Sequence, residues 1–267
     1  MTQLAKYLGL VSTWLILAFL ILPSFVLVPM SFSDQPYLSF PKDGLSLDAY
    51  RSIVHSPVWR TSIVNSLIVC VSATFLATSL GTLFAIGCWK LPGRVSMAAK
   101  AILLLPMIVP AIVHALAFFK LMAWLRLLDT YAAVIITHTL IGLPYVVISV
   151  STALAAFDPR VEQAARSLGA SEAQTIRLVI IPSIRWGILS GAVIAFIMAW
   201  DEIVVLLFVT SRKLLLLPKA LWNGITESFN PAIAAITTIL IMLTTALTLA
   251  QVYMTIKREN QRKNVEA

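Results

Sequence analysis

The chain has few charged residues: Asp, Glu, Lys and Arg make up 12% of its 267 residues, whereas a soluble domain has about 25%. It has only two cysteines, Cys70 and Cys88, and both lie in one apolar stretch, which excludes a disulfide framework and paired zinc spacing. The sequence also lacks a G-x-x-x-x-G-K-[ST] phosphate loop, an H-E-x-x-H zinc motif and a G-x-S-x-G nucleophile motif. We therefore expect no enzyme activity, cofactor or metal in this chain.

Hydrophobic residues make up 59% of the chain, and the mean hydropathy is +0.90. The apolar residues fall into long segments, and about 20 such residues suffice for a helix to cross a bilayer. The six predicted spans are 8–30, 61–89, 101–125, 132–154, 188–209 and 232–254. Because helices satisfy their own backbone hydrogen bonds, as lipid requires, the sequence predicts an all-α integral membrane protein with one transmembrane domain over residues 1–267.

The net charge of +8 comes from Lys and Arg scattered over the polar gaps between these spans. This scatter favours a membrane orientation signal over nucleic-acid binding. Gaps on the same side as both termini hold twelve Lys and Arg residues, and the opposite gaps hold seven. Because positively charged loops are retained in the cytoplasm, we expect both termini and the gap 155–187 on the cytoplasmic side.

The gap 155–187 has the pattern of a helix, a glycine break and a second helix. Gly169 can adopt the positive φ that ends a helix, and Ser171 can cap the helix that follows. Pro182 is then expected to stop this second helix before the next span. Ala164 and Ala165 would offer a flat face to another protein. On composition alone, the same gap could equally be a surface hairpin that needs no partner.

The spacing of this loop resembles the EAA motif of binding-protein-dependent ABC importers. That motif reads Glu-Ala-Ala, three residues, Gly, nine residues and Ile-x-Leu-Pro. Residues 163–182 follow its spacing, with Gln163 in place of the Glu, Val179 in place of the Ile and Ile181 in place of the Leu. In that family the loop contacts the ATPase. The resemblance implies these coupling residues: Glu162, Gln163, Ala164, Ala165, Leu168, Gly169, Ala170, Ser171, Ile176 and Pro182.

The resemblance extends over nearly the whole chain. Residues 137–147 are similar to the span before this loop in spermidine/putrescine-type permeases, and residues 196–208 are similar to the acidic fifth-span segment of their C subunits. This implies the type I importer (MetI-like) fold with six transmembrane helices in the cell inner membrane. The implied partners are a homologous second permease, two ATP-binding cassette ATPase subunits that carry ATP and Mg, a periplasmic solute-binding protein, a small-molecule solute and the lipid bilayer.

Two adjacent acids, Asp201 and Glu202, lie within the predicted fifth span. An ionised carboxylate there costs about 2.5–3.5 kcal/mol on insertion scales, so neither should face lipid. One interpretation is a cation-attracting path for a polyamine-like solute, and the other is a buried polar network or a subunit contact. The candidate lining residues are Asp201, Glu202, Trp200, Tyr145 and His138.

His114 and His138 have no second ligand four residues away, which favours packed histidines over a metal site. In polyamine permeases the residue after the third-span proline is often acidic, and here it is Met107, which favours a solute with fewer positive charges than spermidine. The alternative function is an ion-coupled secondary transporter that uses Asp201 or Glu202 as its proton or sodium site.

Overall fold

A computed structural model describes residues 3–91, 93–228 and 230–246. This part of the chain is all-α, as the sequence predicted, and the one β-bridge within it joins Ser33 and Leu45. The chain divides into two compact units. One contains the residues up to 60 and from 221 onward, and the other contains residues 61–220.

The helices follow one another along the described chain, with a 3-10 turn after α4 and π-helical turns after α8 and α12. They are α1 (Gln3–Met30), α2 (Asp48–His55), α3 (Pro57–Lys90), α4 (Arg94–Leu104), α5 (Ala111–Trp124), α6 (Tyr131–Ala155), α7 (Pro159–Ser167), α8 (Glu172–Thr175), α9 (Ile181–Ser183), α10 (Arg185–Asp201), α11 (Val204–Val209), α12 (Leu217–Asn223) and α13 (Ala232–Ala246).

Three helices in the described residues are long and apolar enough to cross a membrane: α1 from Gly9 onward, α3 and α6. Two bent pairs raise the number to five if each pair counts as one span. The sixth predicted segment begins as α13, and its part beyond Ala246 lies outside the described residues.

The predicted third span, 101–125, is broken into two arms. α4 ends at Leu104, the 3-10 turn Leu105–Ile108 follows, and α5 begins at Ala111 at an angle of 106° to the first arm. Pro110 lacks a backbone N–H and forces the preceding Val109 into extended backbone, with ψ of 133°. The predicted span 101–125 is therefore two helical arms and not one continuous helix.

The predicted fifth span, 188–209, is also interrupted. α10 ends at Asp201, Glu202 is extended with ψ of 106°, and α11 begins at Val204. The Glu202 Oε1 accepts a hydrogen bond of 2.9 Å from the backbone N–H of Val205. This bond satisfies one of the free N–H groups at the start of α11. The carboxylate caps a new helix. The acidic pair therefore does not lie in the middle of a continuous helix, contrary to the prediction.

Helices α6 and α10 pack closely through glycines. A β-carbon placed on Gly191 would lie 3.0 Å from the Cα of Val146, and one on Gly187 would lie 2.4 Å from the Cβ of Ala153. Small residues at four-residue spacing allow this approach between membrane helices. The two helices therefore form a tight pair, and the polar gap 155–187 connects them.

The second half of that gap is anchored in the core around this pair. The core contains Ala77 and Ala85 of α3, Val150 and Leu154 of α6, and Ile180 and Ile184 from the gap. Both of these isoleucines are buried. Burial of each such side chain contributes about 1.5–3 kcal/mol, so this half of the gap is held firmly.

Asp129, in the turn between α5 and α6, holds the connection between α11 and α12. Its carboxylate accepts hydrogen bonds of 2.8 to 3.1 Å from the backbone N–H groups of residues 211–214. Partial burial raises the pKa of Asp129, but the four N–H donors outweigh burial and hold the pKa below its ordinary value. The ionised form of Asp129 therefore stabilises the fold.

Asp129→Asn is expected to lower the midpoint of thermal unfolding at pH 7, because an amide nitrogen cannot accept N–H bonds. A lowered folded-state pKa stabilises the protein fully above the unfolded value of about 4, and this stabilisation disappears as pH falls through the folded-state pKa. The difference between variant and wild type should therefore shrink below about pH 4. Thermal scans in detergent across pH measure it, with the exposed Asp48→Asn as control. A difference independent of pH would contradict the assignment.

Gly191→Leu is expected to destabilise the α6 and α10 pair by about 1–3 kcal/mol or more, because overpacking forces backbone shifts. Val193→Leu, two residues away on an exposed side of α10, is the matched control. The midpoint of thermal unfolding in detergent should fall for Gly191→Leu alone. Equal midpoints for the two variants would show that the close approach has no effect on stability.

Candidate functional site

The first half of the predicted coupling loop is built from capped helices. Asp158 caps α7 by accepting a hydrogen bond of 2.9 Å from the N–H of Arg160. Gly169 follows the helix with φ of +89°, a conformation that favours glycine. Ser171 caps α8, and its own N–H donates to the side chain of Gln174 at 2.8 Å. The predicted glycine break and serine cap are both confirmed.

The end of the loop differs from the prediction. Pro182 was expected to stop the helix, but it lies at the start of α9, which runs to Ser183. The direction changes at Ile184, where Glu172–Ser183 meets α10 at 71°.

The ten predicted coupling residues divide by exposure. Gln163, Ala164, Leu168, Gly169, Ser171 and Pro182 are exposed, whereas Glu162, Ala165, Ala170 and Ile176 are partly buried. Leu168 is 90% exposed, which is unusual for a large apolar side chain in a polar loop. Exposed apolar surface of this kind is typical of contact sites. Ile176 packs instead against the core that contains Ile180, so it supports the loop from behind.

Lys90, the last residue of α3, contacts both halves of the loop. Its Nζ lies 3.1 Å from the Oε1 of Glu162 in α7 and 2.8 Å from the Oε1 of Glu172 in α8. The sequence reasoning counted Lys90 only as an orientation charge and missed both ion pairs. The only signals in the sequence were an acid near the start of each loop helix and a lysine at the end of an apolar run on the same predicted side of the membrane.

A cavity of about 470 Å³ lies between the two broken segments and α6. Its lining includes Met107 from the 3-10 turn, His114 and Phe118 from α5, Tyr145 from α6, Met198 from α10, and Glu202 from the break after α10. Glu202 is the only charged side chain among the described residues of this lining. The rest of the lining is mainly apolar, as is usual for small-molecule sites.

The structure brings together two of the five residues predicted to line a path, Glu202 and Tyr145. Asp201 is exposed outside this lining, and the Trp200 ring stacks on Phe196 with centroids 5.8 Å apart. His138 is buried within α6, apart from the cavity. Of the two adjacent acids, only Glu202 belongs to the described lining of the cavity. It follows the end of α10, so its direction is not fixed by that helix.

His114 was expected to be a packed histidine, but it contributes to the cavity wall. Its ring stacks on that of Phe118 at 6.1 Å between centroids. The signal that could have identified it is its position four residues after Pro110, in the first turn of the helix that starts at the break. Within the described residues, no group of three or more His, Cys, Asp or Glu side chains could hold a metal ion.

A carboxylate in an apolar cavity without Lys or Arg in its lining attracts cations, because the surroundings screen its charge poorly. The aromatic side chains of Phe118 and Tyr145 also belong to the lining, and aromatic rings are a common partner of ammonium groups. The Glu202 Oε1 accepts one bond from Val205, and its other acceptor positions remain for a ligand. The arrangement is therefore suited to bind a small cation and has no nucleophile positioned for catalysis.

Comparison with known families places the chain in a family of membrane transport components. Residues 77–258 match the profile of the family described as the binding-protein-dependent transport system inner membrane component. The matched range contains the whole loop 155–187 and the whole cavity lining.

Individual relatives cover most of the chain. It is similar to the spermidine/putrescine transport system permease protein PotC of Haemophilus influenzae, with 28% identity over 248 residues, 92% of this chain and 96% of the relative. Against the permease protein PotB of the same kind of system in Escherichia coli, identity is 30% over 203 residues, 70% of this chain and 73% of the relative. The fold is similar to that of a bacterial ABC transporter involved in the import of the acidic polysaccharide alginate, with TM-score 0.73, 18% identity, and coverage of 95% of this chain and 98% of that chain.

Proposed function

The chain belongs to the family of binding-protein-dependent transport system inner membrane components, as a permease subunit of an ABC importer, and from this we propose that it builds one half of a path for a small, amine-bearing solute. The Glu202 carboxylate carries the proposal, because it is the only charge in the described cavity lining. A volume of about 470 Å³ falls in the range of sites for small molecules.

The solute class is supported by the relatives and limited by the lining. PotC and PotB are permeases for spermidine and putrescine by name, and both solutes are amines. Met107 lies in the wall of the cavity. In the polyamine permeases that this chain resembles, the residue at this position is often acidic. With one carboxylate in this half, the proposed solute is polyamine-like and carries fewer positive charges than spermidine.

We propose that the loop 155–187 lies in the cytoplasm, with both termini, and contacts an ATPase. The exposed Leu168 beside the positive-φ Gly169 supports a protein contact there. The proposed complex contains a homologous second permease, two ATPase subunits that bind ATP and Mg, and a periplasmic protein that delivers the solute. Similarity to both PotB and PotC supports the second permease.

In the proposed mechanism, closure of the ATPase subunits moves the loop, and the loop moves the cavity walls. The loop joins α6 to α10, and these helices are packed too tightly at Gly187 and Gly191 to slide easily past each other. Tyr145 lies on α6, and Glu202 directly follows α10. A displacement of the loop would therefore change the cavity at both residues.

The alternative, an ion-coupled secondary transporter that uses Asp201 or Glu202, has no support from the family match. It remains distinguishable by experiment, because it requires an ion gradient and no ATPase.

Gly169→Pro is expected to reduce ATP-driven uptake by about tenfold or more, in line with typical coupling energies. Proline cannot adopt the φ of +89° found at Gly169, so the loop must rearrange. Gly169→Asn is the matched control, because asparagine tolerates positive φ. Uptake into proteoliposomes and insertion into membranes are measured together. Normal uptake by the proline variant would argue against a coupling role for the loop.

Glu202→Gln is expected to reduce solute uptake by about tenfold or more, as for loss of a charged partner in an apolar site. Asp201→Asn removes a charge one residue away and should leave uptake close to wild type. Both are measured in proteoliposomes that contain the second permease, the ATPase subunits and the binding protein, with and without ATP and with ion gradients collapsed.

Uptake by the wild type that follows an ion gradient without ATP would overturn the proposed function. Failure of Glu202→Gln to assemble with its partners would instead assign the carboxylate a purely structural role.

A further inference from the structure

The last turn of α3 contacts the coupling loop on one side and α4 on the other. We call residues 88–90 the α3 end. On the loop side, the rings of Trp89 and Phe157 meet edge to face with centroids 5.8 Å apart. On the α4 side, the hydroxyl of Ser96 donates to the backbone carbonyl of Cys88 at 2.6 Å, in a buried position. The α3 end therefore bridges two segments that are separate in the chain.

Lys90 makes the strongest of these contacts. Its side chain is 20% exposed, that of Glu162 is 15% exposed, and that of Glu172 is 60% exposed. The pair with Glu162 is thus more shielded from water than the pair with Glu172, and shielding strengthens the attraction between charges. Breaking a shielded pair by removing one partner leaves an uncompensated charge. One ammonium group therefore joins both halves of the loop to α3.

The geometry of the helix ends strengthens this arrangement. Glu162 lies in the first turn of α7 and Glu172 in the first turn of α8, where the helix dipole favours acids. Lys90 lies in the last turn of α3, where the dipole favours a cation. Three helix ends meet at these charges, so displacement of either loop helix acts directly on α3.

A continuous set of contacts leads from this point to the cavity. α3 is bonded to α4 through Cys88 and Ser96, and α4 continues directly into the 3-10 turn that carries Met107. Met107 of that turn and Met198 of α10 both line the cavity. The cavity wall therefore has two connections to the loop, one through α6 and α10 and the other through the α3 end.

We infer that Lys90 is a positioning residue that transmits movement of the coupling loop through the α3 end to the α4 side of the cavity. This inference rests on the proposed function. Without Lys90, the loop would keep its apolar contacts with α3, α6 and α10. No ion pair would then join α7 and α8 to the α3 end, and movement of these two helices would no longer reach α4. Only one wall of the cavity would then respond to the ATPase.

The test uses two matched reporters, Met107→Cys on the α4 side and Met198→Cys on the α10 side, in a chain that carries Cys70→Ala and Cys88→Ala. Each is assembled with the second permease, the ATPase subunits and the binding protein in proteoliposomes. The rate of maleimide labelling is compared with and without ATP plus vanadate. With Lys90 present, both reporters should change their rate. With Lys90→Met, the change at residue 107 should be lost and the change at residue 198 should remain.

Lys90→Arg should restore the response at residue 107, because arginine keeps the charge and can reach both carboxylates. Arg94→Met removes an exposed cation from the same polar gap and should leave both responses intact. Responses at both reporters in Lys90→Met would overturn the inference. Loss of both responses would overturn it as well, because it would make Lys90 a general support of the loop.

If Lys90→Met does not assemble, the combined Glu162→Gln and Glu172→Gln variant removes the same ion pairs and is measured in its place. Selective loss at residue 107 would support the inference, and retention of both responses would overturn it. The proposed function fails separately: in that case neither reporter responds to ATP even when Lys90 is present.

Discussion

The close packing of α6 on α10 is the constraint on which the rest of the site depends. Glycines at positions 187 and 191 let the two backbones approach to a distance that any side chain would prevent. Apolar burial alone drives little association between helices in lipid, so fit at short range has to supply it. The loop that carries Leu168 begins at the end of one helix and ends at the start of the other. Tyr145 and Glu202 are held by the same pair, so the proposed protein contact surface and the proposed cation site share one support.

The cavity exists because two predicted spans are broken. Proline at position 110 breaks one, and the acid at position 202 breaks the other by capping a new helix. Irregular backbone is tolerated at membrane depth only where it is surrounded by protein or lines a cavity. Both breaks meet this condition, since Val109 and Glu202 belong to the same lining. The break after α10 thus places the one charged group of the described lining, the Glu202 carboxylate, at the cavity.

Much of this could be predicted from sequence because the relevant signals are local. The φ of Gly169 and the cap at Ser171 depend on neighbouring residues, and the structure agrees with both predictions. The breaks were not predicted, because the sequence on both sides of the proline or the carboxylate is apolar and was therefore taken as one span. The ion pairs of Lys90 join residues 72 and 82 positions apart, so no spacing rule could reveal them. Choosing Glu202 over Asp201 likewise required knowing where the helix ends.

Asp129 shows how backbone hydrogen bonds can occupy all the acceptor positions of a carboxylate. Each of its two oxygens accepts two backbone N–H groups from residues 211–214, which fills the roughly four lone-pair sites that a carboxylate offers. No acceptor position on Asp129 therefore remains for an ammonium ion, although a carboxylate carries the same formal charge there as at Glu202. The number of acceptor positions already filled thus separates the two acids. The filled carboxylate of Asp129 stabilises the fold, and Glu202 keeps acceptor positions for the proposed solute.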